Sequence, residues 1–335
     1  MTTKSTTVRF IKTISPLLSS VSPGLGANLL ERLFLRTTRR PVPEREQEWM
    51  NGADVRVFVS KRGDSFPVYA WGTGPTVLLV HGWSGRGSQL AVYVKPLLER
   101  GYRVVTFDAP GHGKAEGTQS ALPELAEALE LVARQERDIH GVIAHSLGTA
   151  AVTFALSRGL SIQRAVYIAP PDNPGTYLYR AGRFLGFHDK VIERARLRIE
   201  QRFQIAFEAL HSARLARSLE LPLLIFHDPE DRDVSYKEGQ QLAASWPNAH
   251  LQTVEGLGHH RIVRAPEVMG QALRFIHEGV LASPTSSEDI STQTQPHEQH
   301  PHAPEKESIS SASARNQRSE QGFQGTGLDA GHTVA

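Results

Sequence analysis

Between residues 51 and 280, short apolar runs alternate with longer stretches of helical periodicity. The runs fall at 55–59, 66–71, 76–80, 103–107, 141–145, 164–169, 223–227 and 250–254. Several are continuously apolar, as strands covered on both faces must be. Apolar residues recur at helical spacing over 88–100, 124–138, 147–158, 236–246 and 266–278. The first two strands have only a short connection between them and are expected to pair antiparallel. The later strands are separated by helices, which predicts a mainly parallel sheet with helices on both faces.

Three segments depart from this alternation. Residues 1–50 form a basic, amphipathic arm, with seven Lys or Arg and one acid, Glu31, before residue 41. Leu29, Leu30, Leu33 and Phe34 have helical spacing, and Pro16, Pro23, Gly24 and Gly26 are expected to break the arm into short pieces. The arm reads as a helical appendage packed on the domain; its charge and apolar face also suit weak contact with a membrane surface. Residues 172–219 are too long for a simple crossover and read as a helical cap inserted in the 51–280 domain. Val191, Ala195, Ile199, Phe203 and Phe207 form its apolar stripe. Phe184, Leu185, Phe187, Phe203 and Phe207 either wall an apolar pocket or make the cap's own core. Its arginines (Arg180, Arg183, Arg194, Arg196, Arg198, Arg202) read as a solvated face, with a minority placed to line an entrance for anions. Residues 281–335 are polar, hold too little apolar surface to fold, and are expected to be disordered.

Composition narrows the chemistry. The 335 residues contain no cysteine, which excludes disulfides, thiolate metal sites and thiol nucleophiles. A net charge of +2 gives no case for nucleic-acid binding over the whole surface. No 18-residue apolar run is present, so no transmembrane helix is expected, and the lack of cysteine fits a cytoplasmic protein.

The richest motif is Ala144-His145-Ser146-Leu147-Gly148, between the fifth strand and a helix. Small residues on both sides of a serine suit a sharp turn that presents its hydroxyl. Ser146 taken alone also suits a helix N-cap. A serine nucleophile needs a base, a carboxylate to orient the base, and donors for an oxyanion. His81-Gly82-Trp83 ends the third strand, and the amides of Trp83 and Leu147 are the candidate oxyanion donors. His81 reads as a loop anchor rather than the base. Asp108-Ala109-Pro110-Gly111-His112-Gly113 makes a tight turn after the fourth strand. Gly113-Lys114 is not a phosphate loop, because Asp108 and Ala115 stand where glycine and Ser/Thr are needed. The seventh strand is followed by Asp228, Glu230, Asp231 and Asp233, and the eighth by Gly258-His259-His260. Serine, then acid, then histidine is the chain order of triads built on such a turn.

These five motifs, in this order at strand ends, resemble the α/β-hydrolase superfamily in its serine esterase/lipase-like branch, over residues 51–280. The resemblance implies an α/β-hydrolase fold, an eight-stranded mostly parallel sheet with helices on both faces and a small helical cap. It maps the nucleophile to Ser146, the acid to Asp231 with Asp228 and Asp233 as alternatives, and the base to His259 with His260 as alternative. Ala144 departs from the glycine most often found there. The implied reaction is acyl transfer from a small-molecule ester to water, with no metal and no organic cofactor. An acyltransferase or perhydrolase on the same triad, and a non-catalytic binder on the same fold, are the competing readings.

Overall fold

The computed structural model describes residues 3–279; the polar segment 281–335 lies outside the described residues. Eight strands form one sheet: β1 (Asp54–Val59), β2 (Ser65–Trp71), β3 (Thr76–Val80), β4 (Arg103–Phe107), β5 (Ile139–His145), β6 (Arg164–Ile168), β7 (Leu223–His227) and β8 (Ala249–Thr253). Their spatial order is β1-β2-β4-β3-β5-β6-β7-β8. β1–β2 and β2–β4 pair antiparallel, and every later pair is parallel.

The apolar runs follow from this layering. In β3, Leu78 and Val80 enter one core, while Val77 and Leu79 enter the core on the opposite face. Val142 and Ala144 of β5 face the first core and Ile143 the second. Each large aliphatic side chain buried in this way contributes about 1.5–3 kcal/mol. At the sheet's edge, β1 leaves Val55, Val57 and Val59 exposed, and only Phe58 packs inward, against Phe66.

Helices α5 (Leu122–Ala133), α6 (Leu147–Ser157) and α10 (Tyr236–Ser245) cover one face; α4 (Val94–Leu98) and α12 (Pro266–Glu278) cover the other. Two expected helices are shorter than their periodicity. The 88–100 stretch is a 3₁₀ turn over Gly87–Tyr93 followed by α4. Pro96 lacks an amide proton, so the α-helix begins only where that proline falls in its first turn. The 124–138 stretch ends at Ala133, and Asp138 instead offers its carbonyl to Thr76 of β3.

Between β6 and β7 stand α7 (Pro174–Phe184), α8 (Asp189–Phe203) and α9 (Ser212–Ala216). The arm comprises α1 (Thr3–Val21), α2 (Pro23–Leu35) and α3 (Glu44–Trp49). Pro16 does not break α1, and Gly24 and Gly26 lie inside α2 rather than ending it. The hydroxyls of Ser15 and Ser19 donate to the carbonyls four residues earlier, giving buried polar groups along α1 local partners. Pro23 is the first residue of α2, where its missing amide costs nothing. Gly26 instead serves packing: a Cβ there would sit 3.2 Å from Val191 of α8. Ala27, Leu30 and Leu35 join Leu178, Val191, Ile192, Ala195 and Ile199 in a third core, so arm and cap share one interior.

Candidate active site

The C-terminal ends of β3, β5, β7 and β8 converge on Ser146. This residue adopts φ 52°, ψ −129°, a conformation that costs a side-chain-bearing residue about 1–3 kcal/mol. Its amide is held by the Ile168 carbonyl at 2.9 Å. Ser146 stands at the N-cap position of α6, but its side chain makes no capping bond to the helix. The turn is this tight because neighbouring backbone crowds it. A Cβ on Gly148 would lie 2.5 Å from the His81 carbonyl oxygen, and one on Gly82 would lie 2.8 Å from the Ser146 Cβ. Ala144 is completely buried, and its methyl joins the core, so the extra carbon is absorbed by packing.

The Ser146 hydroxyl donates to His259 Nε2 at 2.9 Å. On the other side of the ring, His259 Nδ1–H donates to Asp231 Oδ2 at 2.7 Å. Asp231 Oδ1 accepts the amides of Asp233 and Val234 at 2.8 and 3.0 Å. Burial pushes the Asp231 carboxyl up, but the neighbouring His227 ring at 3.6 Å and the hydrogen bond from His259 outweigh it and hold it well below the usual carboxylate range. It is therefore a fixed anion that keeps the His259 tautomer and orientation.

Both alternatives for the acid have other partners. Asp228 Oδ2 accepts the amides of Leu257 and Gly258 at 2.6 Å each, and Oδ1 accepts that of Glu230 at 2.8 Å. Asp228 thus ties the loop after β7 to α11 (Gly258–Arg261), the short helix that carries His259. Asp233 is exposed, with its carboxylate 3.6 Å from His260 Nε2. His260, the alternative base, is itself mostly exposed and among the described residues makes no hydrogen bond to Ser146; partial burial and then neighbouring His259 lower its pKa.

Three buried imidazoles brace the site as neutral groups. His81 Nδ1–H donates to the Gly82 carbonyl at 2.8 Å, and Nε2 accepts the Ala109 amide at 3.0 Å. Burial lowers its pKa to about 4. This ring links the loops after β3 and β4. His112 packs on His81 and on Trp83, and burial lowers it to about 3. His145 Nε2–H donates to the His259 carbonyl at 2.9 Å, and burial lowers it to about 3 as well. The bracing roles of His145 and Asp228 were missed from sequence. Position inside the serine motif was the only signal for the first, and Asp228 competed with three other acids.

For the oxyanion donors, Leu147 is the first residue of α6, so its amide has no intrahelical acceptor. Trp83 follows Gly82, which abuts Ser146, and among the described residues its amide has no acceptor. Asp231, Asp233 and His259 bring potential metal-ligand atoms within 4.8 Å of one another. However, Asp231 and His259 already bond each other, so the group is a hydrogen-bonded pair rather than a ligand set.

A cavity of about 1240 Å³ opens above Ser146. Phe184, Phe203 and Phe207 line it, while Phe187 is buried in the core shared by arm and cap. Leu185 packs against the same core, and Phe203 and Phe207 serve both, so the two readings of these five residues overlap. The arm, read from sequence only as an appendage, supplies a whole wall, including Phe34, Arg40 and Trp49. Thr37 and Thr38 fasten it across the site by bonds to Gly111, Thr118 and Ser84.

A serine on a strained strand-to-helix turn, under helices inserted between β6 and β7, makes a hydrolase-type scaffold. Residues 77–272 match the alpha/beta hydrolase family model, and the chain belongs to that family. Its fold is similar to that of the Pyrococcus furiosus esterase Pf2001, at 20% identity and TM-score 0.55, covering 72% of this chain and 98% of that one. The Exiguobacterium antarcticum esterase EaEST matches at 14% identity and TM-score 0.52, covering 66% and 98%. The thioesterase domain from the curacin biosynthetic pathway matches at 17% identity and TM-score 0.50, covering 68% and 99%.

Proposed function

We propose that the chain is a serine hydrolase that cleaves carboxylic esters or thioesters through a Ser146–His259–Asp231 triad. The observation that carries this reading is the unbroken hydrogen-bond path from Asp231 Oδ2 through His259 to Ser146 Oγ. His259 takes the Ser146 proton as Oγ attacks the acyl carbon. The amides of Trp83 and Leu147 receive the oxyanion. His259 then protonates the leaving alcohol or thiol, and a water deprotonated by the same ring releases the acid. Asp231 stays ionised throughout and stabilises the imidazolium. The esterase and thioesterase neighbours support the choice of bond.

The test is labelling by a fluorophosphonate together with hydrolysis of p-nitrophenyl esters. Wild type is expected to label and turn over, and Ser146→Ala to do neither. A wild-type chain inert to both sinks the reading and favours a binder. Product analysis with added alcohols separates hydrolysis from acyl transfer.

The arm's membrane contact is a further part of the proposal. Phe10, Leu17 and Val21 are exposed at helical spacing on one side of α1, while Lys12, on the other side, lies over the Phe184 ring. Among the described residues no helix is long and apolar enough to cross a membrane, so the contact is peripheral. Co-sedimentation with anionic vesicles, lost in Phe10→Ser/Leu17→Ser, checks it; equal recovery of the two proteins refutes it.

A further inference from the structure

The cavity above Ser146 is lined by seven arginines and two carboxylates, Glu46 and Asp233. Of the arginines, Arg86 is buried and paired with Glu46 at 2.8 Å. Arg180 donates to the Asp233 carbonyl and lies over the Tyr177 ring. The other five are Arg36, Arg40, Arg45, Arg232 and Arg264. Among the described residues, none of these five has a carboxylate within ion-pair distance.

Most arginines elsewhere on the cap are paired, though among the described residues Arg194 has no carboxylate partner. Arg183 faces Asp189, Arg196 faces Glu193 and Glu200, and Arg198 and Arg202 face Glu31. Unpaired arginines also occur elsewhere on the surface; what sets the cavity apart is that five of them arrive from separate segments, the arm, the loop after β7 and the turn after α11, at one concavity. Its walls between them are apolar, with Leu33, Phe34, Leu147, Phe203 and Ile205. A concave, low-dielectric wall strengthens the field of a same-sign cluster. Guanidinium groups match carboxylate and phosphate oxygens in geometry as well as charge.

We propose that the substrate is an anionic amphiphile: an ester or thioester with an apolar segment lying against the cavity walls and a carboxylate or phosphate held by the Arg40, Arg232 and Arg264 rim. This rests on the hydrolase reading above. The anion lies either at the far end of the acyl chain or on the leaving group, and both present the same oxygens to the rim.

Two matched substrate pairs, with the full chain, test it. p-Nitrophenyl hydrogen octanedioate against p-nitrophenyl octanoate places the charge on the acyl side. Octanoyl-coenzyme A against S-octanoyl-N-acetylcysteamine places it on the leaving side. At low salt, kcat/KM is expected to favour the anionic member of at least one pair by about tenfold, mainly through KM. The pair that shows it identifies the side. The ratio should fall towards one in Arg40→Gln/Arg232→Gln/Arg264→Gln. In wild type it should also shrink at about 0.5 M sodium chloride, a readout that needs no variant to fold. A chain that labels with fluorophosphonate and cleaves these substrates, yet shows no anionic preference in either pair, overturns the proposal alone. A chain that neither labels nor cleaves any of the four overturns it together with the hydrolase reading.

Discussion

Ser146, His259 and Asp231 stand on loops fixed largely by backbone groups, whereas the facing wall, from α2, α3, α7 and α8, is held by side chains. On the sheet side, Asp108 accepts the amides of Gly87 and Lys114 at 2.7 and 2.8 Å, and Asp228 accepts those of Leu257 and Gly258. On the facing side, contacts run through aliphatic packing and through ion pairs such as Arg86–Glu46 and Arg198–Glu31. The difference separates two tasks. Backbone anchoring holds reacting atoms to a fraction of an ångström, which proximity catalysis requires. Side-chain walls tolerate substitution, so they are where selection among substrates is built. Changes on the sheet side should therefore lower kcat, and changes on the facing side should act on KM or on stability.

The largest effect expected is on the sheet side. Ser146→Ala should reduce kcat by roughly 10⁴–10⁶-fold, with thermal unfolding little changed. His259→Ala should fall in the same range and combine with Ser146→Ala without a further loss, because the two act as a unit. Additive losses in the double variant would break the assignment. Next comes Gly148→Ala, whose new methyl would meet the backbone oxygens of Val80 and His81 at 2.6 and 2.5 Å. β3 is central and cannot yield, so α6 must move and carry Ser146 with it. About 10²-fold in kcat and about 2 kcal/mol in stability should be lost. Unchanged kinetics would show the turn to be looser than its geometry.

On the facing side, Glu46→Ala leaves the Arg86 charge buried with only Ser88 for company. The expected cost is about 3 kcal/mol in a urea titration, with kcat for neutral esters less affected than in Gly148→Ala. A larger fall in kcat than in stability would place α3 within the reacting geometry and erase the contrast.

The two sides also differed in how far they could be read from sequence. The eight strands and the convergence of Ser146, Asp231 and His259 were legible because tight turns at strand ends leave local marks: Gly82, Gly148 and Gly258 next to the residues they expose. Asp231 stood out from Asp228 and Asp233 only through family resemblance; the structure separates them by which carboxylate faces the His259 ring. The arm was illegible as a pocket wall. Its contacts with the cap span over 150 residues of chain, as in Arg198–Glu31, and no local pattern encodes them. Pro16 misled because a proline signals a break, yet α1 runs through it.

Acid should weaken the sheet side through its histidines. His81, His112 and His145 have folded pKa values of about 4, 3 and 3, below the unfolded value near 6.5. The unfolded chain therefore binds protons that the folded chain refuses. The stability these neutral rings contribute is complete above about pH 6.5 and declines as pH falls towards about 3. Each can add up to about 1.4 kcal/mol per pH unit in that window. Urea midpoints at several pH values should show a steep slope there, shallower by up to about one proton in His112→Gln. An identical slope in that variant would mean His112 is protonated in the folded protein.

The smallest effect tests the facing side at its most exposed. Arg198 pairs with the buried Glu31 at 2.7 Å, but its own side chain is about half in solvent. Glu31 also has Arg202 at 3.6 Å, so removing Arg198 does not strand the carboxylate. Arg198→Ala should therefore cost no more than about 1 kcal/mol, and less at high salt. Glu31→Ala removes the acceptor from both arginines and should cost more, since α2 then loses its polar tie to α8. If the two variants cost the same, Arg202 contributes nothing, and the polar tie between α2 and α8 is the Arg198–Glu31 pair.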